Sequence, residues 1–208
     1  MSTVLCVILN WRTADMTLRA AEHAVTAMEG IEGAITIVDN DSQDGSFEAL
    51  TDSTRDMPRV RVMQAGRNGG YGAGNNVGIR AGLPDGSKPD LVYVLNSDAF
   101  PAPDALRALV DHLSANPGTG FAGSFIYGED GIPHTSAFRF PSIASEFEGA
   151  AKTGPISKLL KNAIVAPAPP TATTQVDWLA GASVLMRQSV LDELGIFNET
   201  FFLYFEET

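Results

Sequence analysis

Asn96, Ser97 and Asp98 end the apolar run that begins at Leu91, so an amide, a hydroxyl and a carboxylate stand where a buried strand would stop. A carboxylate at the carboxyl end of a strand in an open α/β sheet sits where such sheets bind ligands, and a hard oxygen donor there suits Mg²⁺ or Mn²⁺. The competing role is helix capping. Asp98 is far ahead of the next helical pattern, and Asp104, after Pro101 and Pro103, is the better N-cap for residues 105–115.

Two other polar clusters follow apolar runs in the same way. Asn10 closes the first, and Asp39-Asn40-Asp41-Ser42-Gln43-Asp44 follows the second. Asp and Asn can accept from and donate to the imide edge of a uracil or thymine ring. They can also cap a helix or shape a turn. Both roles are expected on different residues: Asp39 or Asn40 toward the base, Ser42 or Asp44 as the cap.

A third loop, Gly66 to Gly78, is rich in glycine and carries Asn68, Gly69, Gly74, Asn75 and Asn76 at the opening of a helical pattern from Gly72 to Gly82. Glycines there allow backbone to approach a ligand closely and aim N–H groups at an anion. Tight packing of helix on sheet explains about two of them equally well. The dinucleotide fingerprint is excluded, because counting from Gly72 its third glycine falls on Val77; a Walker A loop is excluded because no Gly-Lys-Ser/Thr follows.

Late in the chain, Trp178 with Gly181 offers an apolar wall on which a sugar face can stack, or a core tryptophan. Glu206 and Glu207 follow the run Phe201-Phe-Leu-Tyr-Phe205, and mutual repulsion in such a pair raises one pKa toward general-base use. His23, His112 and His134 are scattered without ligand spacing, and no Gly-x-Ser-x-Gly elbow supports serine nucleophile chemistry.

These groups need a scaffold that brings distant loops to one edge. Strand patterns at 3–9, 34–38, 60–63 and 91–95 alternate with helical patterns at 15–28, after Asp44, at 72–82 and at 104–115. Four βα repeats with strands apolar on both faces predict a mostly parallel central sheet flanked by helices, a Rossmann-like α/β fold. Residues 120–127 and 176–186 each read as one further strand, and 190–194 as a short helix closed by Gly195. The proline-rich chain between them reads as an irregular excursion with a surface loop at 166–174.

The chain is expected to be a single domain over 1–208, with a nucleotide-binding half at 1–125 and an acceptor-binding half at 126–208. Its 208 residues are 44% apolar, enough for a real core. The net charge of −11 argues against nucleic acid as a partner, since sequence-independent binding relies on Lys and Arg. An anionic substrate would then need a cation or aimed N–H groups. The lone Cys6 sits within the first apolar run and reads as a core thiol. No run reaches the roughly 18 apolar residues of a membrane span, and the first ten residues lack a basic leader segment. A cytoplasmic location is expected, with peripheral contact at the inner membrane face open. The apolar segment before Glu206 suggests truncation, with further helices expected downstream.

Taken in order, Asn10, Asp39 to Ser42, the Asn68 to Asn76 loop, Asn96 to Asp98, Trp178 to Gly181 and Phe201 to Glu207 resemble family 2 glycosyltransferases of the GT-A fold. The glycine loop and the Phe-Phe-Leu-Tyr-Phe-Glu segment are most similar to rhamnosyltransferase-type members. The resemblance implies inverting transfer from a UDP- or dTDP-sugar to a hydroxyl of a saccharide or lipid-linked acceptor. Asp98 matches the aspartate that holds Mg²⁺ or Mn²⁺, with Asn96 in the place of a usual acidic residue. Asn10, Asp39, Asn40, Asn68, Gly69, Gly74, Asn75, Asn96, Ser97 and Asp98 fall on the donor side, and Trp178 and Gly181 on the acceptor side. Glu207, or Glu206, matches the base. Two rivals are a binding module without transfer activity, which has no need of the glutamate pair, and a sugar-1-phosphate nucleotidyltransferase. The second resembles a pattern with a glycine-rich, Arg-bearing first loop, where this chain has Asn10-Trp-Arg-Thr-Ala.

Overall fold

The computed structural model describes residues 2–128, 130–151 and 164–203. The chain divides into two compact units, Met1–Ala122 with Gly181–Thr208, and Gly123–Ala180.

The first unit is built from βα repeats. These are β1 (Val4–Asn10), α1 (Ala14–Ala27), β2 (Gly33–Asp39), α2 (Ser46–Ser53), β3 (Val60–Gln64), α3 (Gly70–Ala81), β4 (Leu91–Asn96) and α4 (Ala105–Ala115). The short β5 (Phe121–Gly123) follows, and β10 (Ser183–Arg187) with α6 (Gln188–Leu194) completes the unit. The sheet order is β3-β2-β1-β4-β10-β5, with β1 parallel to β2 and β4, β2 parallel to β3, and β10 antiparallel to β4. Val4 to Ile8, Ile35, Ile37 and Leu91 to Leu95 are buried, as strands covered on both faces require. On α4 the buried residues Leu106, Leu109, Val110 and Leu113 recur at helical spacing. On α1 they are mostly alanines (Ala20, Ala21, Ala24, Ala27), whose small side chains let the helix lie close to the sheet.

In the second unit β6 (Ile126–Tyr127) pairs with β7 (Pro133–His134), and β8 (Ala137–Phe138) with β9 (Trp178–Leu179), all antiparallel. Helix α5 (Ile143–Ala151) opens on a reciprocal serine pair: Ser145 N–H donates to Ser142 Oγ (3.1 Å) and Ser142 N–H to Ser145 Oγ (2.7 Å). This is the logic of a capping box, with serine in place of the usual acid. Residues 166–174 carry no helix or strand and are largely exposed.

Two expected strands are in fact divided. Residues 120–127 break into β5 and β6, and 176–186 into β9 and β10. The chain changes sheet at Gly181: Ala180 N–H donates to Ser136 O (2.9 Å), whereas Ala182 O accepts from Asn96 N–H (3.0 Å). Hydropathy is continuous across both breaks and carries no record of which strand each residue pairs with. A further difference is Asp104, which occupies the N-cap position of α4 without a side-chain cap bond.

Cys6 is fully buried in the middle of β1, and burial pushes its thiol pKa far up, which disfavours the reactive thiolate. Iodoacetamide at pH 8 is expected to leave Cys6 unmodified in the folded protein and to alkylate it in denaturant, read by intact mass; labelling at equal rates in both states would contradict this packing.

Candidate active site

The parallel register sets the geometry. Asn10 at the end of β1 stands opposite Asp39 at the end of β2, Leu9 stands opposite Asn96 of β4, and Asp39 opposite Gln64 of β3. The loops after β1, β2, β3 and β4 therefore open on one rim, the carboxyl edge of the sheet.

A buried polar hub joins the first two loops. Asn10 and Asp39 are almost fully enclosed, and Asn10 Nδ2 donates to Asp39 Oδ1 (2.7 Å) and Ser42 Oγ (3.2 Å). Ser42 Oγ donates to Asp39 Oδ1 (2.5 Å), and Ser42 N–H donates to Asp39 Oδ2 (3.1 Å). From the helix side, Thr17 Oγ1 donates to Asn10 Oδ1 (2.7 Å), while Arg12 N–H donates to Ser42 Oγ (3.0 Å). Asp39 thus has both oxygens bonded to protein. The N-cap residue of α2 is Gly45, not Ser42 or Asp44; Asp44 just before it shapes the turn, its Oδ1 accepting from the Ser46 N–H (3.1 Å) and hydroxyl (2.6 Å). The Ser46 hydroxyl is also the main reason the Asp44 carboxyl is held below its usual pKa.

Asn40 ties the second loop to the third. Its Nδ2 donates to Asn68 Oδ1 (2.9 Å) and to Gly70 O (3.2 Å). Asn68 Oδ1 also accepts from Gly70 N–H (3.1 Å), and Tyr71 N–H donates to Phe202 O (3.0 Å). The first two N–H groups of α3 are therefore bonded to protein and are not aimed at an anion. Gly69 is the N-cap residue of α3. Gly74 packs on the sheet, since a Cβ there would collide with Leu9; at Gly78 it would come within 2.7 Å of Val7 Cγ1. These two are the glycines that helix-on-sheet packing requires.

The fourth loop is joined by Thr13, whose Oγ1 lies 3.5 Å from Ser97 Oγ. Asn96 O accepts from Ala99 N–H (3.1 Å), closing a turn that leaves Asp98 exposed and Ser97 half-buried. Around the rim, Asn40 Oδ1, Asn75 Oδ1 and Asn96 Oδ1 are buried without a hydrogen-bond partner. Gln188 Oε1 in α6 is a fourth such atom, and buried acceptors left unpaired cost free energy. Beside the first two loops a cleft of about 500 Å³ is lined by Arg12, Thr13, Arg19, Asp44 and Ser46, and by neither Asn40 nor Asp98.

Among the described residues no group of three His, Cys, Asp or Glu side chains is gathered to hold a metal. Asp98 offers a single carboxylate. That donor set fits Mg²⁺ or Mn²⁺ shared with phosphate oxygens and water, a mode Mg²⁺ commonly adopts, and does not fit a cage made by protein alone. Gly181 is close to Tyr71, whose hydroxyl donates to Gly181 O (2.7 Å); a Cβ at 181 would be 2.6 Å from that hydroxyl oxygen. In the second unit Trp178 stacks on Phe138 (centroids 4.1 Å, planes 13° apart), and its Nε1 donates to Arg139 O (3.2 Å). One indole face is thus covered within its own unit. Glu206 and Glu207 lie outside the described residues.

The sequence does not single out Thr13, Thr17 and Glu199, and it gives Tyr71 and Asn76 no role beyond membership of the glycine-rich loop. Asn76 was detectable in principle: asparagine is a poor interior helix residue, so an Asn75-Asn76 pair within α3 signals side chains recruited for hydrogen bonding.

Residues 13–167 match glycosyl transferase family 2. The chain belongs to that family. A relative among curated glycosyltransferases is the N-acetylglucosaminyl-diphospho-decaprenol L-rhamnosyltransferase of Mycobacterium tuberculosis, 30% identical over 187 residues, which cover 84% of this chain and 58% of the relative. The succinoglycan biosynthesis protein ExoO of Rhizobium meliloti is 35% identical over 112 residues, covering 54% and 30% respectively. The chain thus spans a little over half the length of the first relative and less of the second. Among solved structures, the mannosyltransferase PcManGT from Pyrobaculum calidifontis, in complex with GDP-Man and Mn²⁺, aligns with TM-score 0.60 at 15% identity over 94% of this chain and 47% of that one. S. aureus TarS aligns with TM-score 0.65 at 13% identity, over 100% and 32%. The fold of this glycosyltransferase-family chain is accordingly GT-A. No helix among the described residues is long and apolar enough to cross a membrane.

Removing the Ser42 hydroxyl would leave buried Asp39 and Asn10 each short of a partner. Ser42→Ala is expected to destabilise the protein by about 1–3 kcal/mol, read as a lowered denaturation midpoint; an unchanged midpoint would contradict the hub.

Proposed function

We propose that this chain carries the donor site of an inverting glycosyltransferase. In this reading it moves a sugar, rhamnose being the leading candidate, from a UDP- or dTDP-sugar to a hydroxyl of a saccharide or lipid-linked acceptor. The observation that carries the reading is the rim, where four loops tied to one another by hydrogen bonds bring Asn40, Asn96 and the exposed Asp98 to one edge of the sheet. Support also comes from the likeness to the M. tuberculosis L-rhamnosyltransferase and from the GDP-Man and Mn²⁺ in the PcManGT complex.

In this mechanism, the rim residues Asn40 and Asn96 contact the base and the ribose, which fixes the donor's orientation. The Asp98 carboxylate would hold Mg²⁺ or Mn²⁺ against the diphosphate. Such an ion, when bound, neutralises the charge that develops on the leaving group. Glu207, or Glu206, removes the proton of the acceptor hydroxyl as that oxygen attacks the anomeric carbon opposite the departing diphosphate. Trp178 and Gly181 belong to the acceptor side of this reading.

With one carboxylate, metal binding and nucleotide binding should be strongly linked. Calorimetric titration of the full-length protein with UDP and dTDP is expected to show at least a tenfold gain in affinity on adding Mn²⁺, and Asp98→Ala to abolish the gain while leaving metal-free affinity unchanged. Metal-independent binding by the unaltered protein, or a gain that survives Asp98→Ala, would sink the assignment.

A further inference from the structure

One peptide unit at the start of α3 is gripped from both sides. Its carbonyl, Gly70 O, accepts from Asn40 Nδ2 (3.2 Å), and its N–H, that of Tyr71, donates to Phe202 O (3.0 Å). A single peptide therefore separates Asn40 of the donor rim from Phe202, and hydrogen bonds at the two ends of one peptide polarise and strengthen each other. The approach of Phe202 requires glycine at position 70, which has φ +88° and where a Cβ would collide with the Phe202 carbonyl.

What keeps Phe202 in place lies on the same helix. Residues 197–202 carry neither helix nor strand, and among the described residues every hydrogen bond they make outside themselves goes to α3. Asn76, fully buried, donates from Nδ2 to Phe197 O (2.8 Å) and to Glu199 Oε1 (2.9 Å), and its Oδ1 accepts from Phe197 N–H (3.1 Å). Arg80, one helical turn on, reaches the same Glu199 oxygen at 2.7 Å. The Asn76 amide first, and then Arg80, hold the Glu199 carboxyl below its usual pKa, so it grips as a carboxylate at neutral pH. The Tyr71 ring adds an edge-to-face contact with Phe197, centroids 6.0 Å apart. A segment without secondary structure of its own is ordered only as firmly as such contacts hold it.

We infer that Asn76, with Glu199, is a positioning residue for the donor rim: it holds residues 197–202 on α3, so that Phe202 O fixes the Gly70–Tyr71 peptide to which the Asn40 carboxamide is bonded. Without that acceptor the peptide and the Asn40 amide sample other orientations, and a nucleotide has to order them as it binds. This inference rests on the reading of Asn40 as a donor contact.

The test uses the full-length protein and whichever of UDP and dTDP binds it more tightly with Mn²⁺. Asn76→Ser shortens the buried grip; Glu199→Ala alters only a partly exposed side chain and guards against a folding defect in the first variant. Asn76→Ser is expected to weaken nucleotide binding about tenfold and Glu199→Ala about fivefold, within the range of couplings between linked sites. Hydrogen exchange at the Tyr71 and Phe197 amides of the nucleotide-free protein should be faster in both. The gain in affinity on adding Mn²⁺ should stay as in the unaltered protein, because Asp98 stands on a different loop. Because the effect passes through Asn40, adding Asn76→Ser to Asn40→Ala should cost no further affinity. Unchanged affinity in both variants would overturn the inference, as would losses that multiply in the double variant, or a Mn²⁺ gain that falls in step with affinity. If Asn40→Ala leaves nucleotide binding intact, Asn40 is not a donor contact and the positioning role falls with it. If Asn40→Ala weakens binding while Asn76→Ser and Glu199→Ala do not, the positioning role alone fails.

Discussion

The register of β1 against its two parallel neighbours is the constraint on which the rim depends. Because Asn10 pairs with Asp39 and Leu9 with Asn96, polar residues from strands far apart in sequence end at one edge. A slip of one residue would exchange the two faces of a strand, moving Val4, Cys6 and Ile8 out of the core they share. The same slip would separate Asn10 from Asp39 and strand both in an interior with no water to replace the lost partner. Apolar packing and the polar hub therefore select the same register.

The electrostatic character of the rim follows from what that register delivers. It brings mostly carboxamides and hydroxyls, together with the carboxylates of Asp39 and Asp98, in a chain whose net charge is −11. Asp39 is turned inward and bonded at both oxygens. The first N–H groups of α3, at the positive end of that helix, bond to Asn68 and Phe202. Arg12 and Arg19, which line the cleft beside the first two loops, are the side-chain cations next to this edge, and in the proposed function a divalent cation at Asp98 would add to them.

Much of this was legible in the sequence because the signals were local. Apolar runs that stop at Asn10, Asp39 and Asn96 mark the strands and their carboxyl ends, the alternation of strand and helix patterns gives a mostly parallel α/β sheet, and the GT-A fold is what the family resemblance implies. Pairing partners were not legible. Residues 120–127 and 176–186 are each continuous in hydropathy, and only the hydrogen bonds on either side of Gly181 show the chain changing sheet. Side-chain direction was equally hidden: the sequence placed Asp39 and Asn40 together as candidates for the base, and three-dimensional packing gave Asp39 its hub partners while leaving Asn40 Oδ1 unpaired. Helix α5 escaped notice because its cap is a pair of serines without the usual acid. The link from Asn76 to Phe197 and Glu199 spans more than a hundred residues, beyond the reach of any periodicity.

The most direct test of the donor rim is hydrogen exchange of the full-length protein with and without a saturating nucleoside diphosphate, UDP or dTDP, plus Mn²⁺. The account predicts that the loops after β1, β2, β3 and β4 gain protection together, with the peptides containing Arg12, Asn40, Asn68 and Asp98 slowed in the same sample. Protection confined to residues 123–180, or none on the rim with either nucleotide at concentrations where binding is measured, would contradict it.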